Sequence, residues 1–238
     1  MICFQQLTVI IPAYNEENTI EEVVRRVSKV HLYHLKKEII VVDDGSTDRT
    51  REILRRMKDI KTIFHESNRG KGSAIKTGLS HASGDVILVQ DADLEYEPQD
   101  YPHILRPILT GDCEIVMGSR FVWIKPKLFG ESADPYFFHY VCDRWITWIA
   151  NWLYKREHTD YRGGYKAFTR SLANKVLLQT EGFDFDGELI CKSLKKGYEV
   201  IEVPIRYHPR LYAEGKKLRF KDMLSMLATI FKCRFMPA

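Results

Sequence analysis

The sequence predicts an α/β fold, a mostly parallel central sheet with helices on both faces. Three observations carry the prediction. Strand and helix patterns alternate through the first half of the 238 residues. The strand runs are almost continuously apolar, as strands covered on both sides must be. Each run then stops at a polar or glycine-rich stretch, the usual punctuation of βα units.

The first strand is LTVIIP (7–12), closed by Pro12. Ile20, Val23, Val24, Val27 and Val30 then recur at helical spacing behind ENTIEE, whose acids suit a helix N-terminus. EIIVVD (38–43) is the second strand, followed by the turn residues DGSTD and a helix bearing Ile53, Leu54 and Met57. A short strand, KTIFHE, leads to NRGKGSA and a helix reaching about His81. DVILVQ and EIVMGSR are the next strands, with a helix around 101–109 between them. The second half is less regular: an aromatic helix at 138–154, the stretch TDYRGGYKAF, a helix near 172–178, and GFDFDGELICKSLKKG. A strand in YEVIEVPIRY precedes a basic loop and a final amphipathic helix.

Composition narrows the function classes. With 45% hydrophobic and 29% charged residues, the chain reads as one ordinary globular domain over 1–238. Its five cysteines are scattered, without the spacing of a zinc site or disulfide framework, so a reducing interior is expected. The N-terminal MICFQQLTVII has no basic leader and reads as a strand. WITWIANWLY (145–154) and MLSMLATIF (223–231) are too short to span a bilayer. The net charge of +4 is uneven, because residues 204–238 carry eight Lys/Arg against two acids. Such an end suits phosphate, anionic lipid or nucleic acid.

In an open parallel sheet, ligands bind beyond the carboxyl ends of the strands. Those ends read PAYNE, DDGSTD, NRGKG, QDADLE and GSR, which gathers the chemistry on one rim. Asp91 and Asp93, two residues apart just past a strand, offer hard oxygen ligands for Mg2+ or Mn2+ shared with substrate phosphates. The alternative is a solvated acidic turn. Asp43 and Asp44 can accept from a ribose hydroxyl or a base N–H, while Ser46, Thr47 or Asp48 caps the next helix. The glycines of NRGKGSA let backbone approach a ligand, and the helix N-terminus behind them favours an anion. Trp145, Trp148, Ile149 and Trp152 share a helical face with Lys155 and Arg156 beyond, which suits either a membrane interface or a buried core helix.

Together these motifs resemble the GT-A glycosyltransferases of family 2, especially dolichyl- and polyprenyl-phosphate sugar synthases. The resemblance runs in order through VIIPAYNEENTI, VVDDGSTD, NRGKGSAIKTG, QDADLEYEP, GSRF, TDYRGGYKAF, GFDFDGEL and EVPIRYHPRLYAEGKK. It implies a GT-A fold with a nucleotide-sugar half (1–120) and an acceptor-side half (121–238). It also implies a nucleotide pocket of Pro12, Tyr14, Glu16, Val42 and Asp44, with Asp91, Ala92 and Asp93 as the metal–diphosphate segment; Lys71 of the glycine-rich loop is expected at the nucleotide as well. Arg120, Arg210 and Lys216 match phosphate-holding positions. With Asp93 and Glu188 they make up the expected catalytic set, Glu188 being a candidate base, an orienter of a basic residue near the acceptor phosphate, or simply a helix surface acid. Two departures stand out: Tyr161–Gly164 differ from many relatives, and no stretch of this sequence reads as the transmembrane helices that many relatives append, so membrane contact is expected to be peripheral or through a partner.

The expected reaction is inverting transfer of a hexose from a nucleotide sugar, GDP-mannose first and UDP-glucose second, to a polyprenyl or dolichyl phosphate. A lipid phosphate is already an anion and needs no general base. A saccharide hydroxyl, the alternative acceptor, needs one, and Glu188 or Asp186 is the candidate. A sugar-nucleotide pyrophosphorylase is disfavoured because G-x-G-T-R is absent after the first strand. A decayed regulatory module is disfavoured by the intact D-x-D. The expected place is cytoplasmic, at the cytoplasmic face of a membrane through peripheral contact or a membrane-embedded partner, with no nucleic acid.

Overall fold

The computed structural model describes residues 4–32, 35–122, 137–210 and 220–236. The first half runs β1 (Gln6–Ala13), α1 (Ile20–Lys29), β2 (Lys36–Asp43), α2 (Thr50–Arg56), β3 (Lys61–Phe64), α3 (Lys71–His81), β4 (Val86–Val89), α4 (Tyr101–Leu109) and β5 (Ile115–Ser119). Then come α5 (Phe137–Tyr154), β6 (Lys166–Thr169), α6 (Arg170–Lys175), α7 (Phe185–Lys195), β7 (Val200–Pro204) and α8 (Phe220–Phe235). The strands form one sheet in the order β3-β2-β1-β4-β6-β5-β7. β6 is antiparallel to both β4 and β5, whereas the other pairings are parallel.

Alternation along the strands splits the core in two. Val9, Ile11, Val86, Leu88 and Val116 pack with α1 and α4 through Val23, Val27, Ile104 and Leu105. Ile10, Ile87, Val89, Ile115 and Met117 face the other way, against α3, α5, α7 and α8 through Ile75, Ile146, Leu189 and Met226. The sheet is therefore covered on both faces, as the sequence predicts.

Three local readings change. KAFT forms a strand that no local pattern predicts, because it is short and Lys166 breaks its apolar run. Lys166 nonetheless pairs with Val89 on one side and Met117 on the other, and is fully buried. The helix near 172–178 is α6, which starts earlier because the Thr169 side chain caps it by accepting the Leu172 amide at 3.1 Å. On α5, Ile146, Ala150 and Leu153 face the core, while Trp145, Trp148 and Trp152 are 61%, 62% and 69% exposed. Of the two sequence alternatives for this helix, burial of the tryptophan face does not occur. No helix among the described residues is long and apolar enough to cross a membrane.

Candidate active site

The carboxyl ends of β1, β2, β4 and β5 share one rim, because those strands are parallel to one another. At its centre Gln90 fixes the exit of β4. Its carbonyl accepts the hydroxyls of Tyr101 and Tyr165, each at 2.8 Å, and its amide donates to the Asp91 carbonyl at 2.8 Å. The two tyrosine bonds are buried, so the turn is held before any ligand arrives. Gly164 is required behind it, since a Cβ there would lie 2.2 Å from Asp91 Oδ2.

Two cations meet the acids of this turn. Lys71 Nζ lies 2.8 Å from Asp91 Oδ1 and 3.3 Å from Asp186 Oδ2. Burial opposes its charge, but Asp186 and Asp91 outweigh that and hold its pKa above the ordinary lysine value. Arg210 reaches Glu16 with both terminal nitrogens, at 3.0 and 3.1 Å, and Asp93 Oδ2 at 3.3 Å. The segment after β7 delivers it: Tyr207 bridges to Tyr96, His208 N donates to the Glu95 carbonyl, and Arg210 N donates to Glu95 Oε1 at 2.9 Å. Burial, then the charges of Asp91 and Glu95, push the Asp93 carboxyl up to about 7 against the pull of Arg210.

This donor set fits a divalent cation. Five carboxylates (Glu16, Asp91, Asp93, Glu95 and Asp186) are met by Lys71 and Arg210 and, from within the core, by Lys166, whose charge also acts on Asp186. The acids outnumber the cations that meet them, so hard oxygen ligands remain for a cation. Asp186 Oδ1 is moreover buried with no hydrogen-bond partner among the described residues. No three metal-binding side chains converge among those residues, so a cation here would complete its shell with water and substrate oxygens.

The other expected site residues fall into three groups. Pro12, Val42 and Ala92 are buried, and Pro12 and Val42 are register partners at the ends of β1 and β2. Tyr14 is half-buried on the same rim. Asp44 ties the end of β2 to the glycine-rich loop, accepting the amides of Arg69 and Gly70 at 3.0 and 2.7 Å and pairing with His65 Nδ1 at 2.8 Å. Arg120 is embedded in an ion cluster: Asp160 takes it at 2.7 and 2.9 Å, Asp143 at 3.0 Å, and Arg162 also binds Asp143. Lys216 lies outside the described residues.

Two sequence expectations need correction. The start of α3 does not present all its amides to an anion, since Gly72 and Ser73 donate to the carbonyls of Gly182 and Glu181 at 3.2 and 3.1 Å. Its glycines admit another loop of the chain. Glu188 accepts from the Gln179 and Thr180 amides at 2.9–3.0 Å and the Thr180 hydroxyl at 2.8 Å, and pairs with Lys192 at 2.7 Å. That leaves no open lone pair for a base. Asp143 and Lys166 are buried, Arg162 partly so, and no local pattern in the sequence distinguishes these charges from surface ones.

A family model for glycosyl transferase family 2 matches residues 8–178. The chain belongs to glycosyl transferase family 2. Among its relatives in this family is a dolichol-phosphate mannosyltransferase of Pyrococcus furiosus, 31% identical over 95% of this chain and 63% of the relative. An uncharacterized protein of Methanocaldococcus jannaschii is 28% identical over 95% of this chain and 90% of its own length. The low-salt glycan biosynthesis hexosyltransferase Agl6 of Haloferax volcanii is 30% identical over 86% of this chain and 48% of the relative. The chain thus spans less than two thirds of the Pyrococcus and Haloferax proteins. A solved glucosyl-3-phosphoglycerate synthase from Mycobacterium tuberculosis, in complex with Mn2+, UDP and phosphoglyceric acid, superposes with a TM-score of 0.74. The match covers 98% of this chain and 80% of that one at 22% identity, and identifies this family 2 glycosyltransferase as a GT-A fold.

Asp44→Ala would remove the carboxylate that ties the glycine-rich loop to the end of β2, at a position expected from the sequence to serve the nucleotide. It is expected to lower the melting temperature in calorimetry and to weaken nucleoside-diphosphate binding by about 1.5–3 kcal/mol in titration, the scale of a hydrogen bond to a charged group.

Proposed function

We propose that this family 2 glycosyltransferase moves a hexose from a nucleotide sugar, GDP-mannose first and UDP-glucose second, to a polyprenyl or dolichyl-type phosphate. The observation that carries this reading is the convergence of Asp91 and Asp93 with Lys71 and Arg210 on the sheet rim. In it Pro12, Tyr14, Glu16, Val42, Asp44 and Ala92 bound the nucleotide, and Asp91 and Asp93 would hold Mg2+ or Mn2+ at the diphosphate. The metal would neutralise charge developing on the leaving phosphates. Lys71 and Arg210 act on the same charge as fixed donors in a partly dehydrated site; Arg120, held by Asp160 and Asp143, would act from within its ion cluster, and Lys216 is proposed as a further phosphate-holding residue on its sequence match alone. Residues 1–238 act as one catalytic domain, with 1–120 on the donor side and 121–238 on the acceptor side.

A phosphate head needs fixed cations, and a prenyl tail needs an apolar surface. The basic segment at 204–238 and the exposed Trp145, Trp148 and Trp152 offer both. The Pyrococcus relative's name supports the same acceptor class. The place of action is the cytoplasmic face of a membrane, reached peripherally or through a membrane-embedded partner, and no nucleic acid is involved.

A panel of nucleotide sugars assayed against polyprenyl phosphate and soluble saccharides tests the reading. Transfer to the lipid phosphate is expected, with soluble sugars poor acceptors. Efficient transfer to a sugar hydroxyl, with none to lipid phosphate, would overturn it. In flotation assays the protein is expected to bind anionic vesicles, and to bind them less as salt rises, because exposed charges are screened within about 10 Å at 0.1 M. Replacing Trp145, Trp148 and Trp152 together by Ser should weaken that binding at least about tenfold, since burying even one large apolar side chain contributes roughly 1.5–3 kcal/mol.

A second reading, transfer to a saccharide hydroxyl, draws support from one residue. Asp186 stands beside Lys71, and burial raises its carboxyl pKa in the direction a base requires. Under that reading Asp186 replaces Glu188 as the candidate base.

A further inference from the structure

α7 carries two buried acids, Asp186 and Glu188. Residues two apart on a helix face different sides, so the two carboxylates serve different neighbours. Asp186 touches Lys71 directly. Glu188 instead holds the segment 179–182 through the Gln179 and Thr180 amides and the Thr180 hydroxyl. That segment in turn grips the first two turns of α3. Its carbonyls at Gln179, Glu181 and Gly182 accept from Lys76 Nζ at 3.0 Å, Ser73 N at 3.1 Å and Gly72 N at 3.2 Å. The contact is so close that a Cβ on Gly72 would lie 2.7 Å from the Thr180 carbonyl. α3 begins at Lys71, whose ammonium bridges Asp91 and Asp186.

We propose that Glu188 is a positioning residue that acts through Lys71: by pinning the 179–182 segment it fixes the start of α3 and hence the place of the Lys71 ammonium between Asp91 and Asp186. The consequence for transfer rests on the reading of Asp91 as part of the donor-diphosphate segment. α7 then holds Lys71 at both ends, its side chain through Asp186 and its helix through Glu188. The Glu188 carboxylate agrees with this role. Burial opposes its charge, yet Lys192 and the Thr180 and Gln179 donors hold its pKa below the ordinary glutamate value.

The test compares wild type, Glu188→Gln, Lys71→Met and the double variant. Its readouts are amide hydrogen exchange, and calorimetric titration with UDP and GDP in the presence of Mn2+. Glu188→Gln is expected to speed exchange at Gly72 and Ser73 and to weaken nucleotide binding about three- to tenfold, the equivalent of one neutral hydrogen bond. The double variant should bind no more weakly than Lys71→Met alone, because both changes act on one ammonium. In turnover assays the donor KM should rise along with any fall in kcat. Wild-type exchange and affinity in Glu188→Gln, with kcat collapsed and one limb of the pH profile lost, would mark Glu188 as a base and overturn the proposal. Additive losses in the double variant would overturn it too. If wild type binds neither nucleotide, the donor-site reading fails by itself. Glu188 is then judged on exchange alone, where unchanged rates at Gly72 and Ser73 overturn its role and faster rates support it. If Glu188→Gln does not fold, Thr180→Val, which removes one 2.8 Å bond to the same carboxylate, carries the same readouts.

Discussion

Exhaustive chelation with EDTA is expected to abolish sugar transfer, with Mn2+ or Mg2+ restoring it. Asp93→Ala is expected to cut turnover at least about 100-fold while the fold persists. The magnitude follows from the chemistry: a Lewis-acid cation supplies several kcal/mol of transition-state stabilisation, and each ~1.4 kcal/mol is a factor of ten. The fold should survive because Asp93 sits on the rim, where its partners are Arg210 and the Glu95 amide. Removing it also relieves crowding among Asp91, Asp93 and Glu95, so thermal stability should hold or rise slightly. Initial rates with a nucleotide sugar and polyprenyl phosphate, alongside thermal melts, check both halves. Full activity after chelation would remove the metal from the mechanism.

Asp160→Ala is expected to damage stability more than any rim substitution. Asp160 is fully buried and accepts the Arg120 guanidinium twice, the Arg120 amide at 3.1 Å and the Arg162 amide at 3.1 Å. Deleting it leaves a buried guanidinium short of its main counter-charge, a change that typically costs about 3–5 kcal/mol. For a domain of this size that is a fall in Tm of roughly 10 °C. Burial would raise the Asp160 pKa, but Arg120 outweighs it and holds the folded-state pKa below the ordinary value. Protonation therefore favours the unfolded chain. The contribution is fully present above the unfolded aspartate pKa of about 3.9, and is lost as pH falls through the lower folded pKa. Urea titrations of wild type and Asp160→Asn should run parallel from pH 6 to about pH 4 and begin to converge only below the unfolded pKa of about 3.9. Curves that stay parallel well below the unfolded pKa, as far as the folded protein survives, would show that the pair contributes no pH-dependent stability.

The sequence by itself determined the sheet, the helices on both its faces and the rim on which the polar motifs gather. The reason is local: a strand buried on both faces must be apolar throughout, and parallel strands joined by helices must end on one edge. What it could not determine is where the charged side chains go, because their partners come from distant parts of the chain. Lys71 meets Asp186 across 115 residues, and Arg210 meets Glu16 across 194. No local period records such a pairing. Only the tertiary structure turned Glu188 away from the rim, closed the start of α3 with another loop, and set the antiparallel β6 with its buried Lys166 between β4 and β5. It also chose which face of α5 meets water: Ile146, Ala150 and Leu153 pack in the core with residues of α7 and α8, and Trp145, Trp148 and Trp152 stand outside.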